Sequence, residues 1–397
     1  MRILYLTNGF PFPLTSGYLR HYFLIRELSR QHRVSLLSIV GQQFRQEYLE
    51  ALRPYTERVL TFTSPRRAGA LSKAARRARA LIDWEPAVLQ MRATAAELVQ
   101  RERFDAVLFS GKQTFPALAA TGGLPVVADL CDATSMRVRG RMAYAGLARL
   151  PWLALEYAQV RRVERALLGR AQHLLFATCR DREALLGGET RRATVVPNGV
   201  DLDYWRRSTG QRGAETIVFT GAMDYAPNTD AALYLADEVM PLVWRKVPDA
   251  RLLIVGRDPP APLKAAGSRP GVTVTGFVDD VRPYLERATV FAAPLRYGAG
   301  IQNKVLEAMA MEVPVVASPL AADGLRTEEG DRPPVTVAEG REALAEALVR
   351  QLEEGRAGAA VDHGARSFVE RHFVWSESGE KLNRVFHAVV QPQKARV

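Results

Sequence analysis

Arg2-Ile3-Leu4-Tyr5-Leu6-Thr7, followed by Asn8-Gly9-Phe10-Pro11-Phe12-Pro13, a segment from 18 to 31 and a second apolar run from 34 to 40, is the stretch that decides the fold. The first run is short and almost wholly apolar, which reads as a buried strand, and the Gly and Pro residues after it form a loop that cannot be helical. Gly17 then precedes a helix in which Leu24, Ile25 and Leu28 recur at helical spacing, and residues 34–40 make the next strand. This is one β-α-β unit.

Outward from it, apolar runs at 106–109, 126–129, 173–177 and 193–196 alternate with helix-like segments, the pattern of a parallel sheet covered by helices on both faces. The pattern restarts after Val196-Pro197-Asn198-Gly199-Val200-Asp201, so a linker is expected there, running through Gly213. Strands are then expected at 217–220, 251–255, 272–275, 290–293 and 313–317, with helices such as 229–244 and 304–311. Residues 365–372 and 376–389 read as two last helices, whose Phe368, Phe373, Trp375, Leu382, Val385 and Phe386 need a partner surface. The expectation is an α/β protein of two doubly wound parallel-sheet domains, 1–200 and 201–374, with a helix in 375–397 crossing back to the first. Facing domains would bring the carboxyl ends of both sheets to a central cleft, where such sheets bind ligands.

The length of 397 residues agrees with two cores, and 47% hydrophobic with 24% charged residues excludes a largely disordered or low-complexity chain. Apolar stretches such as 34–40 fall far short of the ~20 residues of a membrane span, and the chain's start lacks a signal-peptide layout, so a cytoplasmic protein is expected. Cys131 and Cys179 make no disulfide framework, and neither they nor the six histidines show metal-ligand spacing. The 54 Lys and Arg against 43 Asp and Glu leave +11, concentrated in the first half. Residues 65–82 and 137–170 mix arginines with Leu, Trp and Tyr, which suits an anionic membrane surface, although a solvated basic helix has the same composition. No nucleic-acid-binding motif accompanies the charge.

Pro294-Leu295-Arg296-Tyr297-Gly298-Ala299-Gly300-Ile301-Gln302-Asn303-Lys304-Val305-Leu306-Glu307-Ala308-Met309-Ala310 is the strongest local signal. A buried strand ends, a Gly loop turns and a helix is expected from about Ile301, so backbone N–H groups at Gly298, Gly300 and Ile301 would meet a phosphate at the positive helix end. Lys304 would add charge for a diphosphate, with Arg296 as a second cation, and Glu307 would accept hydrogen bonds from ribose hydroxyls. An ordinary strand-to-helix turn with a surface Lys and Glu fits the same composition. Gly17 with Ser16 after the first strand fits a phosphate turn or a plain helix start. Asp132, after Cys131 at a strand end, would accept a proton, bind a sugar hydroxyl, or simply cap a helix. His21, just past the Gly17 loop, is the one histidine placed to reach an acceptor.

In order and spacing these segments, together with Gly221, Leu253-Ile254-Val255-Gly256, Val274-Thr275-Gly276-Phe277-Val278 and Pro314-Val315-Val316-Ala317, resemble the GT-B glycosyltransferases. The resemblance is to retaining family 4, most of all its bacterial exopolysaccharide branch. It implies a retaining transfer of a sugar from a nucleoside diphosphate, with UDP-sugar as donor and GDP-sugar as the alternative. It further implies a saccharide or polyprenyl-linked acceptor at the inner face of the membrane, and no required cofactor or metal. It places Gly17 beneath the donor phosphate, and Arg257 and Phe277 in loops around the base. The pattern departs at two points: the family's first Glu is replaced by Ala299, and its Arg/Lys pair is absent from residues 221–228. Two rivals stay open: a nucleotide-sugar epimerase or hydrolase of the same fold, and a non-catalytic sugar-nucleotide-binding scaffold of a polysaccharide assembly complex, which those departures motivate.

Overall fold

The computed structural model describes residues 1–14, 18–41, 44–64, 85–208, 215–357 and 363–394. Ser16 and Gly17, the basic segment 65–82 and the end of the expected linker lie outside the described residues. The chain divides into two compact units. Unit 1 is Met1–Ala177, Arg182–Val196 and Trp375–Val397; unit 2 is Thr178–Asp181 and Pro197–Val374.

Unit 1 is built on seven strands, β1 (Arg2–Thr7), β2 (Arg33–Val40), β3 (Arg58–Thr63), β4 (Ala106–Ser110), β5 (Val126–Cys131), β6 (His173–Phe176) and β7 (Ala193–Val195). They pair in parallel in the order β3-β2-β1-β4-β5-β6-β7. Both faces of the sheet are covered, and the period of two shows it directly. Ile3, Tyr5, Leu36, Leu108 and Leu175 join one cluster with the helix Leu19–Ser29 and the C-terminal helix Trp375–Lys394. Leu4, Leu6, Leu37, Phe109 and Leu174 point the other way, into a cluster with the helices Pro86–Arg101 and Leu150–Arg170. The C-terminal helix is held by apolar burial: Trp375 stacks on Phe23 at 4.5 Å between centroids, and Leu382 and Phe386 are fully buried. A Cβ on Gly379 would stand 2.5 Å from Cβ of Glu27, so the absent side chain lets the two helices approach.

Unit 2 repeats the plan with six parallel strands, β8 (Thr216–Thr220), β9 (Arg251–Val255), β10 (Val272–Val274), β11 (Val290–Ala293), β12 (Val315–Ala317) and β13 (Thr336–Val337). Their order is β10-β9-β8-β11-β12-β13. In each sheet the strand order reverses once, between β1 and β4 and between β8 and β11, the point beyond whose carboxyl ends open α/β sheets bind ligands.

Two strands were not expected. β3 reads Arg58-Val-Leu-Thr-Phe-Thr and is only half-buried, being an edge strand, and β13 has two residues. The expected helix at 229–244 starts at Ala226 and carries a π-helical segment, Leu235–Val239. Pro241 follows at once; without an N–H it cannot close the usual i→i−4 bond, and the ladder shifts there.

Candidate functional site

At the switch point of unit 2, β8 runs into Gly221-Ala222-Met223 and β11 into residues 294–302, which lead to the helix Asn303–Ala310. That helix buries Val305, Leu306, Ala308, Met309 and Ala310. Lys304 and Glu307, one turn apart, stay half-buried. Lys304 Nζ donates to Asn228 Oδ1 and sits 5.0 Å from the ring centroid of Phe219 on β8. Asn228 is 6% exposed, and its Nδ2 donates to the Ala222 carbonyl at 2.9 Å. One amide side chain thus joins the loop after β8 to the cation beside β11.

The glycines here serve close approach. A Cβ on Gly221 would lie 2.6 Å from Asn228 Nδ2, and one on Gly256, at the end of β9, would lie 1.7 Å from the Gly221 carbonyl oxygen. Gly256→Ala is therefore expected to force the two loops apart and to cost about 3 kcal/mol, read as a lower denaturant midpoint. Gly221→Ala is expected to act more locally, displacing Asn228 and raising the KM for donor with little change in midpoint. The Gly221 N–H donates to Val255 O at 3.0 Å and the Met223 N–H to Arg257 O at 2.8 Å, so Arg257 lies beside the loop after β8. Its guanidinium pairs with Asp258 at 2.9 Å. Phe277 follows Gly276, whose φ of 72° needs glycine, and is 62% exposed on the loop after β10.

Burial disfavours both charges on the helix. It lowers the Lys304 pKa to about 8, against the pull of Glu307, and raises that of Glu307 to about 7, against the pull of Lys304. A diphosphate would restore the proton to Lys304, so its affinity falls as pH rises above about 8. Below about 7 Glu307 takes up a proton and loses acceptor capacity for a ribose. The affinity of UDP, measured by calorimetry across pH, is expected to peak between these values.

Several expectations for this loop are corrected. The helix begins at Asn303, not near Ile301, so the N–H groups at its head are those of Asn303 and Lys304. The Gly300 N–H, expected to face phosphate, donates instead to Asp181 Oδ2 at 2.9 Å within unit 2; the fully buried Asp181 claims it. The φ of 75° at Gly300 shows the glycine is needed for the turn itself. Arg296 is spoken for: it forks onto Asp230, with Nε at 2.8 Å from Oδ2, and lies over Tyr234. Lys304 is left as the cation of the expected pair that borders the switch point. Gly298 and Ala299 lie in the loop as expected, but Ala299 is only 8% exposed.

In unit 1, Asp132 follows the bulged end of β5, where Cys131 takes a φ of 57°. Lys112 Nζ donates to the Asp132 carbonyl at 2.9 Å, to its Oδ1 at 3.3 Å and to Thr134 Oγ1 at 2.6 Å. Burial opposes ionisation of Asp132, but Lys112 and Arg137 outweigh it and hold the pKa below its ordinary value. A carboxylate so held stays ionised, with Lys112 and Thr134 both donating to its Oδ1. It does not cap the following helix, whose N-cap is Ala133. Burial pushes the Cys131 thiol up to about 12, so it stays protonated and unreactive. His21 is also corrected: it is 5% exposed, its Nδ1 shares a hydrogen bond with Tyr5 OH at 2.8 Å, and burial lowers its pKa to about 4. It is a neutral packing residue.

Asn228, Phe219 and Asp181 were missed. Asn228 had a signal, being a polar residue in register with Ala231, Ala232 and Leu235 on a helix face that must be buried. Asp181 had none, since 119 positions separate it from Gly300.

Residues 214–354 match the family model described as Glycosyl transferases group 1. A phosphatidyl-myo-inositol mannosyltransferase of Mycolicibacterium smegmatis is 30% identical over 205 residues, covering 50% of this chain and 52% of the relative. The chain thus spans about half the length of the curated relatives it matches. The structure of Anabaena Alr3699/HepE in complex with UDP-glucose is 14% identical, with a TM-score of 0.68 over 98% of this chain and 100% of that one. WaaG, a glycosyltransferase involved in lipopolysaccharide biosynthesis, is 17% identical, with a TM-score of 0.65 over 96% of this chain and 99% of the other. The fold is similar to that of GT-B glycosyltransferases of known structure. The match to Glycosyl transferases group 1 lies within unit 2.

Proposed function

We propose that the protein is a retaining glycosyltransferase that moves a hexose from a nucleoside diphosphate to a saccharide or lipid-linked acceptor in bacterial surface polysaccharide or glycolipid synthesis. The observation that carries this reading is the Asn228–Lys304–Glu307 cluster at the β8/β11 switch point. Lys304, oriented by Asn228 and poorly solvated, meets the charge that develops on the departing diphosphate, and it does so without reorganising at the moment of reaction. Glu307 accepts hydrogen bonds from the ribose. Uridine diphosphate is the favoured carrier, supported by the UDP-glucose in the Anabaena structure, with a guanosine carrier as the alternative. A lipid-linked acceptor is supported by the phosphatidyl-myo-inositol named for the mycobacterial relative. The leaving phosphate assists deprotonation of the acceptor on the same face of the sugar, so retention needs no strong enzymic base. Because Lys304 supplies the charge, transfer is expected to persist in EDTA.

The test is donor turnover with and without a polyprenyl-linked saccharide. Transfer needs the acceptor, while an epimerase or hydrolase consumes donor without it and a scaffold consumes none. Asn228→Leu is expected to raise the donor KM about tenfold at an unchanged fold, by releasing Lys304, whereas Asn228→Asp keeps an acceptor for the ammonium and retains most activity.

A further inference from the structure

Residues Thr178–Asp181 belong to unit 2, although the chain before and after them belongs to unit 1. Thr178 directly precedes the helix Cys179–Leu186, and Asp181 lies in its first turn. A hydroxyl at that place commonly takes a backbone N–H of the first turn. Here the Asp181 N–H donates to Thr178 Oγ1 at 3.0 Å, and Thr178 Oγ1 donates to Asp181 Oδ2 at 2.6 Å. The hydroxyl thereby fixes the rotamer of a carboxyl group that is fully buried. That group also reaches beyond its own helix: the Gly300 N–H donates to the same Oδ2 at 2.9 Å. Arg180 Nη1 donates to the Leu320 carbonyl at 2.7 Å, in the helix Pro319–Asp323, and Leu320 Cδ2 lies 3.8 Å from where a Cβ on Gly298 would stand. Residues 178–181 therefore hold the turn at Gly300 and flank it at Gly298 through Leu320.

We propose that Asp181 is a positioning residue for sugar transfer, setting the Ala299–Gly300 peptide so that the Ala299 carbonyl oxygen accepts from a hydroxyl of the donor sugar. In a planar trans peptide the N–H and the preceding C=O point in opposite directions. With the Gly300 N–H tied to the buried Asp181, the Ala299 oxygen is turned away from it. Among the described residues no group donates to that oxygen, although Ala299 is only 8% exposed. The carbonyl of a nearly buried residue is ordinarily paired, so this one is kept for a partner that the chain does not supply. Glycine at 300 makes the anchor necessary. Its φ of 75° suits the observed turn, but a residue without Cβ also accommodates the flipped peptide, in which carbonyl and N–H exchange sides. The bond to Asp181 selects between the two. A carbonyl only accepts, so it repels phosphate oxygens and takes a hydroxyl; with the ribose on Glu307, the sugar is the part of the donor left to offer one. The inference rests on the reading of residues 294–304 as the donor site and adds which group of that site meets the sugar, and what aims it.

The experiment is calorimetric binding of UDP, UDP-glucose, GDP and GDP-mannose to the full chain, taking for each carrier the ratio of the sugar nucleotide's affinity to that of the bare nucleotide. Asp181→Ala is expected to lower this ratio about tenfold, with the affinity for the bare nucleotide within about twofold of wild type. Asp181→Asn keeps an oxygen for the Gly300 N–H and should hold the ratio within about twofold. Thr178→Ala removes the hydroxyl that fixes the carboxyl group and should lower the ratio about threefold at a smaller cost in stability, so the inference stays testable where Asp181→Ala does not fold. A merely structural Asp181 would lower the thermal midpoint and weaken bare and sugar nucleotides alike. An unchanged ratio in Asp181→Ala and Thr178→Ala, or an Asp181→Asn as impaired as Asp181→Ala, would overturn the inference and leave the proposed activity standing. A wild-type chain that binds no sugar nucleotide would overturn the donor site itself, and this inference with it.

Discussion

Lys304→Met is expected to lower kcat/KM for sugar transfer by on the order of 10²–10³-fold while leaving the fold intact. Methionine keeps most of the length of the side chain and its contact with the Phe219 ring, 5.0 Å from the ammonium, but removes the charge. The ammonium is costly where it stands: burial has already lowered its pKa to about 8, so the folded chain gains little from it until an anion arrives. The thermal midpoint of the variant should therefore be unchanged or higher, the mark of a group kept for function at the expense of stability. The loss should appear in kcat as well as KM, because charge on the diphosphate grows as the glycosidic bond breaks. Lys304→Arg is not expected to rescue it, since a planar guanidinium cannot take the place of the ammonium against Asn228 and Phe219. Retention of transfer within about twofold in Lys304→Met would remove Lys304 from the chemistry.

The largest loss of stability is expected from Asp129→Ala, about 3–5 kcal/mol by urea denaturation. Arg20 forks onto this carboxylate, Nε to Oδ2 at 2.9 Å and Nη2 to Oδ1 at 3.0 Å, with side chains 4% and 0% exposed. The same guanidinium donates through Nη1 to the Val196 carbonyl at 2.8 Å. The pair thus ties the helix Leu19–Ser29, the later part of β5 and Val196, the last residue of the second segment of unit 1. Truncating Asp129 leaves a buried cation without this carboxylate, and the cost is chiefly that of the stranded charge, not the net strength of the bond. The double variant Arg20→Met with Asp129→Leu should recover much of the loss, and the coupling in the double-mutant cycle should exceed 1 kcal/mol, on the order of a buried ion pair. Additive losses would show that the two side chains act independently.

Much of this architecture was legible in the residues alone, for a local reason. Parallel strands buried on both faces must be short, continuous apolar runs, so β1, β2, β4, β5, β8, β9 and β11 announced themselves without any partner being known. β3 did not, because an edge strand is buried less and alternates with polar residues. Lys304 and Glu307 were legible because one helix carries both, and their three-residue spacing puts them on one side of it whatever the rest of the chain does.

What tertiary structure alone decided are the relations between residues far apart in the chain. Asn228 reaches Lys304 across 76 positions, Asp181 takes the Gly300 N–H across 119, and Arg20 meets Asp129 across 109. The first supplied the amide that aims the cation, and the second turned an N–H expected to face phosphate into a structural donor. The amino-acid sequence by itself determined which segments must be strands and helices and which helix carries the charged pair, since hydrophobic period and local spacing act within a few residues. Which polar groups remain available for a ligand depends on which are already satisfied by distant neighbours, and only the folded chain makes those bonds.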